Sequence, residues 1–337
     1  MALAKIKDTD YLFSTARVRS VEKNMLTRER AEKMIDAKSA EDAIKVLYDC
    51  DYGYGKEIAN VKHFEELLSA EHKKTYEFIM SIAPDIENFN IFLYPYDYHN
   101  LKVIMKSEYL GKEPDEALVD TGSIEISKLK YAVRERDFSE LTENMADALK
   151  EIIETFPKNK DPQNIDITFD IYLYDEMIKA SKKMNSDFVL NYIKMQIDII
   201  NIRSFVRLRK MGKSWDFFSK VFIDGGNISK KTFISSFDES YESFADQIFI
   251  YGYKEIFIEG IDSLNKTGMF TNLEQLFDNK LINYIKSAKY VSYGIEPLVG
   301  YLLAKENEIR IVRIIMASKI AGISSDKIRE RMRETYA

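Results

Sequence analysis

The sequence predicts an all-α fold built from three similar helical modules. Three observations carry that reading: few turn-forming residues, apolar residues at helical spacing, and one helix pattern that occurs three times. Glycine and proline number only 13 and 6 among 337 residues, about half of the usual ~12%. A protein of hairpins or Gly-rich phosphate loops needs more of both. Apolar residues make up 45% and charged residues 31%, ordinary for a chain with a substantial core. The 49 basic and 55 acidic residues leave a net charge of −6, so the basic excess typical of a nucleic-acid binder is missing.

The elements follow in order. An N-terminal helix is expected over about 10–36. Ser39 then reads as an N-cap with Asp42 three residues on, a weaker capping box. Ala43, Ile44, Leu47 and Tyr48 give the apolar face of the helix that follows, which stops before Gly53. Phe64, Leu67, Leu68, His72 and Tyr76 form the next stripe, closed by Pro84. Polar breaks fall at Lys158–Asn164, with Pro157 and Pro162, and at Asp224–Asn227. Asp166–Leu173 alternates briefly and reads as the entry to a helix.

Asn100-Leu101-Lys102 with Gly111, Asn201-Ile202-Arg203 with Gly212, and Ile311-Val312-Arg313 with Gly322 share one pattern, the basic residue standing nine positions before the glycine. Each glycine sits where a helix C-terminus favours a left-handed residue. Gly122-Ser123-Ile124 and Gly226-Asn227-Ile228 form a second echo. The copies are 101 and 110 residues apart, too far for solenoid repeats of about 34 to 47. The expected modules are 1–111, carrying the extra N-terminal helix, then 112–212 and 213–337. They can lie in a row or around a pseudo-threefold axis, and the second arrangement leaves a central hollow lined by the repeated helix.

On that helix Lys102 with Lys106, and Arg203 with Arg207, are i,i+4 pairs on one face, and Arg310 and Arg313 supply the third basic edge. Leu101, Ile104, Met105 and Tyr109 oppose them in the first copy; Ile202, Phe205 and Val206 do so in the second, and Val312, Ile315, Met316 and Ile320 in the third. The basic stripe either pairs with nearby carboxylates or lines a surface that receives a polar partner.

Enzyme signatures are missing. No acidic residue stands three before His63, His72 or His99, so the Glu-x-x-His of a di-iron bundle is absent. No Asp-Asp pair offers an aspartate-rich metal motif. Gly53-Tyr54-Gly55-Lys56 lacks the spacing of a phosphate loop and reads as a helix stop. Cys50 reads as a small buried apolar residue, and His99 as helix-surface polarity. With one cysteine and three histidines there is no disulfide and little material for structural zinc. The opening Met1–Asp8 has no secretory apolar core, and the most apolar stretch, Gln247–Ile261, is broken by Lys254 and Glu255. A soluble, cytoplasmic chain is expected. Most aromatic residues are expected in the core, and Tyr94, Tyr96 and Tyr98 around Pro95 either share it or form an aromatic partner surface.

Ala16-Arg17-Val18-Arg19 with Glu22, and Pro95-Tyr96-Asp97 leading into Asn100-Leu101-Lys102, resemble the C subunit of bacterial and archaeal V/A-type ATPases (ATP synthases), related to the d subunit of the eukaryotic vacuolar proton pump. Asp198-Ile199-Ile200-Asn201-Ile202 with Arg207 is similar to its second-module signature. Gly294-Ile295-Glu296-Pro297, Tyr301-Leu302, Lys305-Glu306, Glu308-Ile309 and Arg313 are similar to the third. The likeness runs from about Tyr11 to Arg333, and Ile311 departs from it where the pattern has asparagine. It implies a funnel-shaped, all-helical, noncatalytic member of the central stalk without cofactor or metal. Its partners would be the shaft made by the D and F subunits and the proteolipid rotor ring, with no nucleic acid. The chain would lie on the cytoplasmic side as a peripheral part of a membrane-bound complex for ion transport or ATP synthesis. On this reading Lys102, Lys106, Arg203, Arg207 and Arg313 contribute to the shaft-receiving cavity. The competing class is a free helical enzyme or ligand-binding protein with a carboxylate site of unfamiliar pattern.

Overall fold

The computed structural model describes residues 7–55, 58, 60–112 and 117–337. The leader reading of Met1–Ile6 and Lys56 of the Gly53–Lys56 stretch lie outside the described residues. In chain order the helices are α1 (Leu12–Glu22), α2 (Arg28–Asp36), α3 (Ala40–Tyr48), α4 (Phe64–Ile82), α5 (Tyr94–Leu110), α6 (Ile126–Glu135), α7 (Glu143–Asn159) and α8 (Pro162–Met184). Then come α9 (Asp187–Lys210), α10 (Trp215–Val221), α11 (Lys230–Ser235), α12 (Tyr241–Gln247), α13 (Lys254–Thr267), α14 (Thr271–Ile285), α15 (Glu296–Ile320) and α16 (Ser325–Arg329). No strand occurs among the described residues. The fold is all-α.

Caps set many of these boundaries. The side chains of Thr27, Ser39, Thr142, Ser186, Ser229 and Ser240 each accept the amide three residues on, satisfying one orphan donor of a helix start. Gly111, Gly212 and Gly322 adopt φ of +63°, +65° and +70° at the ends of the three repeated helices, the left-handed stop expected there. Asp166–Leu173 lies within α8. Two boundaries differ from expectation. The N-terminal stretch is two helices, because the chain turns at Lys23–Thr27 so that Thr27 can cap α2. The break expected at Lys158–Asn164 narrows to Lys160–Asp161: Pro157 sits in the last turn of α7, and Pro162 opens α8, where its missing N–H has no intrahelical partner to lose.

The chain divides into two compact units, residues 87–251 and residues 1–86 with 252–337. In the latter, α15 packs against α1, α2, α3, α4 and α14. It is apolar around most of its circumference, as a helix surrounded by others must be. Leu26, Ile35, Leu47, Leu68, Ile311, Val312, Ile315 and Met316 belong to its aliphatic core. In residues 87–251, α7 and α8 pair, α5 lies on α8 and α6, and α9 follows α8. The core there is aromatic at one end: the Phe205 ring has Phe218, Phe233, Phe237 and Phe244 at centroid distances of 5.9, 5.7, 5.6 and 4.4 Å.

Candidate functional site

Each repeated helix carries one buried carboxylate, and each carboxylate accepts the amide of an apolar residue just ahead of a short helix. On α5, Asp97 accepts from Ser123 N at 3.0 Å, Ser123 Oγ at 2.6 Å and Ile124 N at 3.1 Å, beside the start of α6. On α9, Asp198 accepts from Ile228 N at 2.9 Å and Asn227 Nδ2 at 2.8 Å, beside the start of α11. On α15, Glu308 accepts from Leu26 N at 2.5 Å, beside the start of α2. The Gly-x-Ile echo now has a reason: a Cβ on Gly122 or Gly226 would lie 2.0 or 2.4 Å from the Asp97 or Asp198 Oδ1. The third copy has Asn24-Met25-Leu26 instead, and a glutamate stands where the other two copies have aspartate.

Three residues further along, Asn100 and Asn201 make a second, two-way bond. Asn100 Nδ2 donates to Val119 O and its Oδ1 accepts Val119 N, both at 2.9 Å. Asn201 does the same to Ile223 at 2.7 and 3.0 Å. Ile311 has no such bond to make and is fully buried in the aliphatic core.

Glu308 is instead the centre of an ionic cluster that the sequence did not reveal. Its Oε1 accepts from Lys305 Nζ at 2.5 Å and Tyr52 Oη at 2.6 Å. Lys305 also pairs with Glu71 at 2.6 Å, and Glu71 Oε2 accepts Gly53 N at 3.0 Å. Burial opposes the charge on Lys305, but Glu308 and Glu71 outweigh it and hold the ammonium above its ordinary range. On α5 no cation plays that part. Burial pushes the Asp97 carboxyl up despite its bonds to Ser123 and Ile124, and burial likewise raises Glu176, which accepts from Tyr98 Oη at 2.7 Å. The i,i+3 spacing of Lys305 and Glu308 was the one available signal; Glu71 and Tyr52 are brought in by tertiary packing alone.

The basic residues of the sequence stripe are engaged. Lys102 donates to Asp170 at 2.5 Å and Lys106 to Asp166 at 2.6 Å, both on α8. Arg313 grips Glu65 on α4 through Nε and Nη2 at 2.8 to 3.1 Å. Arg203 and Arg207 each contact a neighbour as well. Around Pro95 the aromatic surface narrows, since Tyr98 is fully buried and committed to Glu176. Ile320, expected on the apolar face, is 39% exposed at the end of α15. Cys50 is buried, its thiol raised to about 11 chiefly by burial, and its Sγ–H donates to Val46 O. His99 is exposed and contacts Ala117 O at 3.0 Å.

The N-terminal motif also acquires a role. Arg19 Nη1 donates to both Glu22 oxygens, and Nη2 donates to the carbonyls of Ala288, Lys289 and Val291, tying α1 to the turn that precedes α15. Among the described residues no helix is long and apolar enough to cross a membrane, and no group of three or more His, Cys, Asp or Glu is placed to hold a metal ion.

Residues 14–331 match the ATP synthase (C/AC39) subunit family. The chain belongs to that family. Among its relatives, the C subunit of the V-type sodium ATPase of Enterococcus hirae is 27% identical over 319 residues, covering 95% of this chain and 97% of the relative. The C subunit of the A-type ATP synthase of Methanocaldococcus jannaschii is 22% identical, covering 95% and 85%, and that of Methanosphaera stadtmanae is 25% identical, covering 96% and 87%. Membership in the C/AC39 family makes the chain a structural component of a V/A-type ATPase complex rather than a catalytic enzyme.

Proposed function

We propose that this C/AC39-family chain is the central-stalk coupler of the complex, joining the shaft of the D and F subunits to the proteolipid rotor ring. In this reading the three repeated helices belong to three modules set around a pseudo-threefold axis, and the complex holds the chain on the cytoplasmic face of its membrane. One observation supports it most: the same long helix occurs three times, each time braced by a buried carboxylate against a backbone amide. A coupler has to carry torque without bending, and such braces stiffen each helix where it meets its neighbour. The basic residues Lys102, Lys106, Arg203, Arg207 and Arg313 contribute to the wall that receives the shaft. Polar contacts of that kind are screened by salt and suit a joint that must release and re-seat.

Because Lys102 and Lys106 are paired, simple reversal to glutamate mixes lost binding with repulsion inside the chain. Exchanging the partners (Lys102→Asp with Asp170→Lys, Lys106→Asp with Asp166→Lys) keeps the internal pairs and relocates their charge. In reconstitution with purified D and F subunits, the exchanged variant should keep its thermal stability and bind the shaft more weakly, the deficit shrinking as salt is raised. Unchanged affinity at low salt with an intact fold would remove these residues from the shaft contact. No association with the shaft by the unmodified chain would end the coupler reading itself.

A further inference from the structure

In the unit formed by residues 1–86 and 252–337, the stretch after α16 runs without helix or turn from Met332 to Ala337. Its hydrogen bonds alternate. Met332 O accepts from Gln275, Glu334 N donates to Asn279 Oδ1 at 2.8 Å, Glu334 O accepts from Asn307 at 3.0 Å, and Tyr336 O accepts from Lys289. The main-chain N–H and C=O of Arg333 and Thr335 have no partner among the described residues. Bonds at every second residue are the signature of one edge of an extended strand, and the groups between them belong to the other edge. Tyr336, buried against Glu22 with its hydroxyl 3.2 Å from Glu22 Oε1, anchors the segment in place.

Arg333 and Thr335 line an open groove of about 740 Å³ that also takes in Arg28, Lys286, Lys289 and Arg329. Five cations border it against the carboxylates of Glu32 and Glu334. Arg28, exposed on the first turn of α2, makes no ion pair among the described residues. We infer that this groove docks an extended, acidic peptide segment of a partner protein, which adds as a strand to the free edge of residues 332–336 while its carboxylates meet Arg28 and Lys289, the two lining cations without an ion pair among the described residues. Five residues at ~3.3 Å each give an edge of about 16 Å, enough for the short strand pairing by which such peptides bind. An anionic lipid surface fits less well, since a lipid headgroup has no use for alternating backbone donors and acceptors.

The test uses the full chain with a fluorescent decapeptide of alternating glutamate and valine, its lysine–valine counterpart, and phosphatidylglycerol vesicles. Saturable binding of the acidic peptide, weakened by salt, is expected, with Arg28→Glu reducing affinity by about tenfold. Peptide should slow hydrogen exchange at the amides of Arg333 and Thr335 and leave Glu334, already bonded to Asn279, unchanged. Thr335→Pro removes an N–H that the fold does not use, so it should abolish binding without lowering the melting temperature; the exchange pattern serves as the readout if that variant fails to fold. Equal binding of the two peptides, absence of saturation, protection elsewhere than at these two amides, or binding of vesicles but not of peptide would each overturn the inference, the last by assigning the cations to a lipid surface.

Discussion

In residues 87–251 the buried carboxylates Asp97 and Asp198 are met by backbone amides and the side chains of Ser123 and Asn227, whereas in the other unit Glu308 is met by one amide, Tyr52 and the ammonium of Lys305. The overall charge divides the same way. Residues 87–251 hold 22 basic and 28 acidic residues, the rest of the chain 27 of each, so the whole excess of −6 falls in one unit. One position in a repeated helix thus keeps its geometric task while its chemistry changes. An aspartate close to a glycine turn accepts from backbone and side-chain dipoles; the glutamate of the third copy sits beside a lysine, which supplies the opposite charge.

The largest effect should come from breaking the ionic version. Glu308→Ala leaves Tyr52 Oη and Leu26 N without that acceptor and Lys305 with Glu71 alone, and should lower unfolding free energy by about 3–5 kcal/mol. Hydrogen exchange should quicken at Leu26 and stay unchanged at Ile124 and Ile228. Equal loosening at all three amides would show that the two units do not hold their braces independently.

Next come the asparagines. Asn201→Ala strands one buried N–H and one C=O, a loss of about 2–3 kcal/mol in denaturant unfolding, and Asn100→Ala, whose partner Val119 is half-buried, should cost less. Ile311→Asn should destabilise rather than complete the pattern, by about 1–3 kcal/mol, since an amide there enters an aliphatic core. A stabilising Ile311→Asn would mean that the third copy keeps the same bonding partners after all.

A smaller effect separates the units by pH. Glu176 has its carboxyl raised in the folded state, chiefly by burial. Its contribution to stability is therefore full below the ordinary carboxyl value of about 4.3 and is lost as pH rises through the raised one. Glu176→Gln keeps an acceptor for Tyr98 and removes the buried charge, so its melting temperature should exceed that of the unmodified chain at about pH 8, the gap closing toward about pH 5. A gap that does not vary with pH would leave burial of the charge without consequence. Smallest of all, Lys102→Met should cost less than about 1 kcal/mol, because its pair with Asp170 is partly exposed, and calorimetry would sharpen the contrast with Lys305.

Much of the helical framework was legible. Ser39, the stripe from Phe64 to Tyr76, and the left-handed glycines at 111, 212 and 322 act through neighbours within a few residues, so local chemistry alone placed them. The recurrence of Asn-x-Lys/Arg was visible too, but not what each member touches. Lys102 finds Asp170 and Arg313 finds Glu65 only once helices distant in sequence pack side by side. The split of the N-terminal stretch into α1 and α2 was hidden because the turn at Lys23–Thr27 contains neither glycine nor proline, and its Leu26 amide is satisfied 282 residues away.

By itself the order of residues determined which segments would be helical, where most of them stop, and that one helix is written three times, because propensity, capping and periodicity are properties of short windows. Only tertiary structure decided that a carboxylate on each copy should brace a different short helix, that Lys305 should be shared between Glu71 and Glu308, and that residues 332–336 should keep one edge open. Those outcomes depend on which backbone groups are left without water once the helices pack, and no window of sequence contains that information.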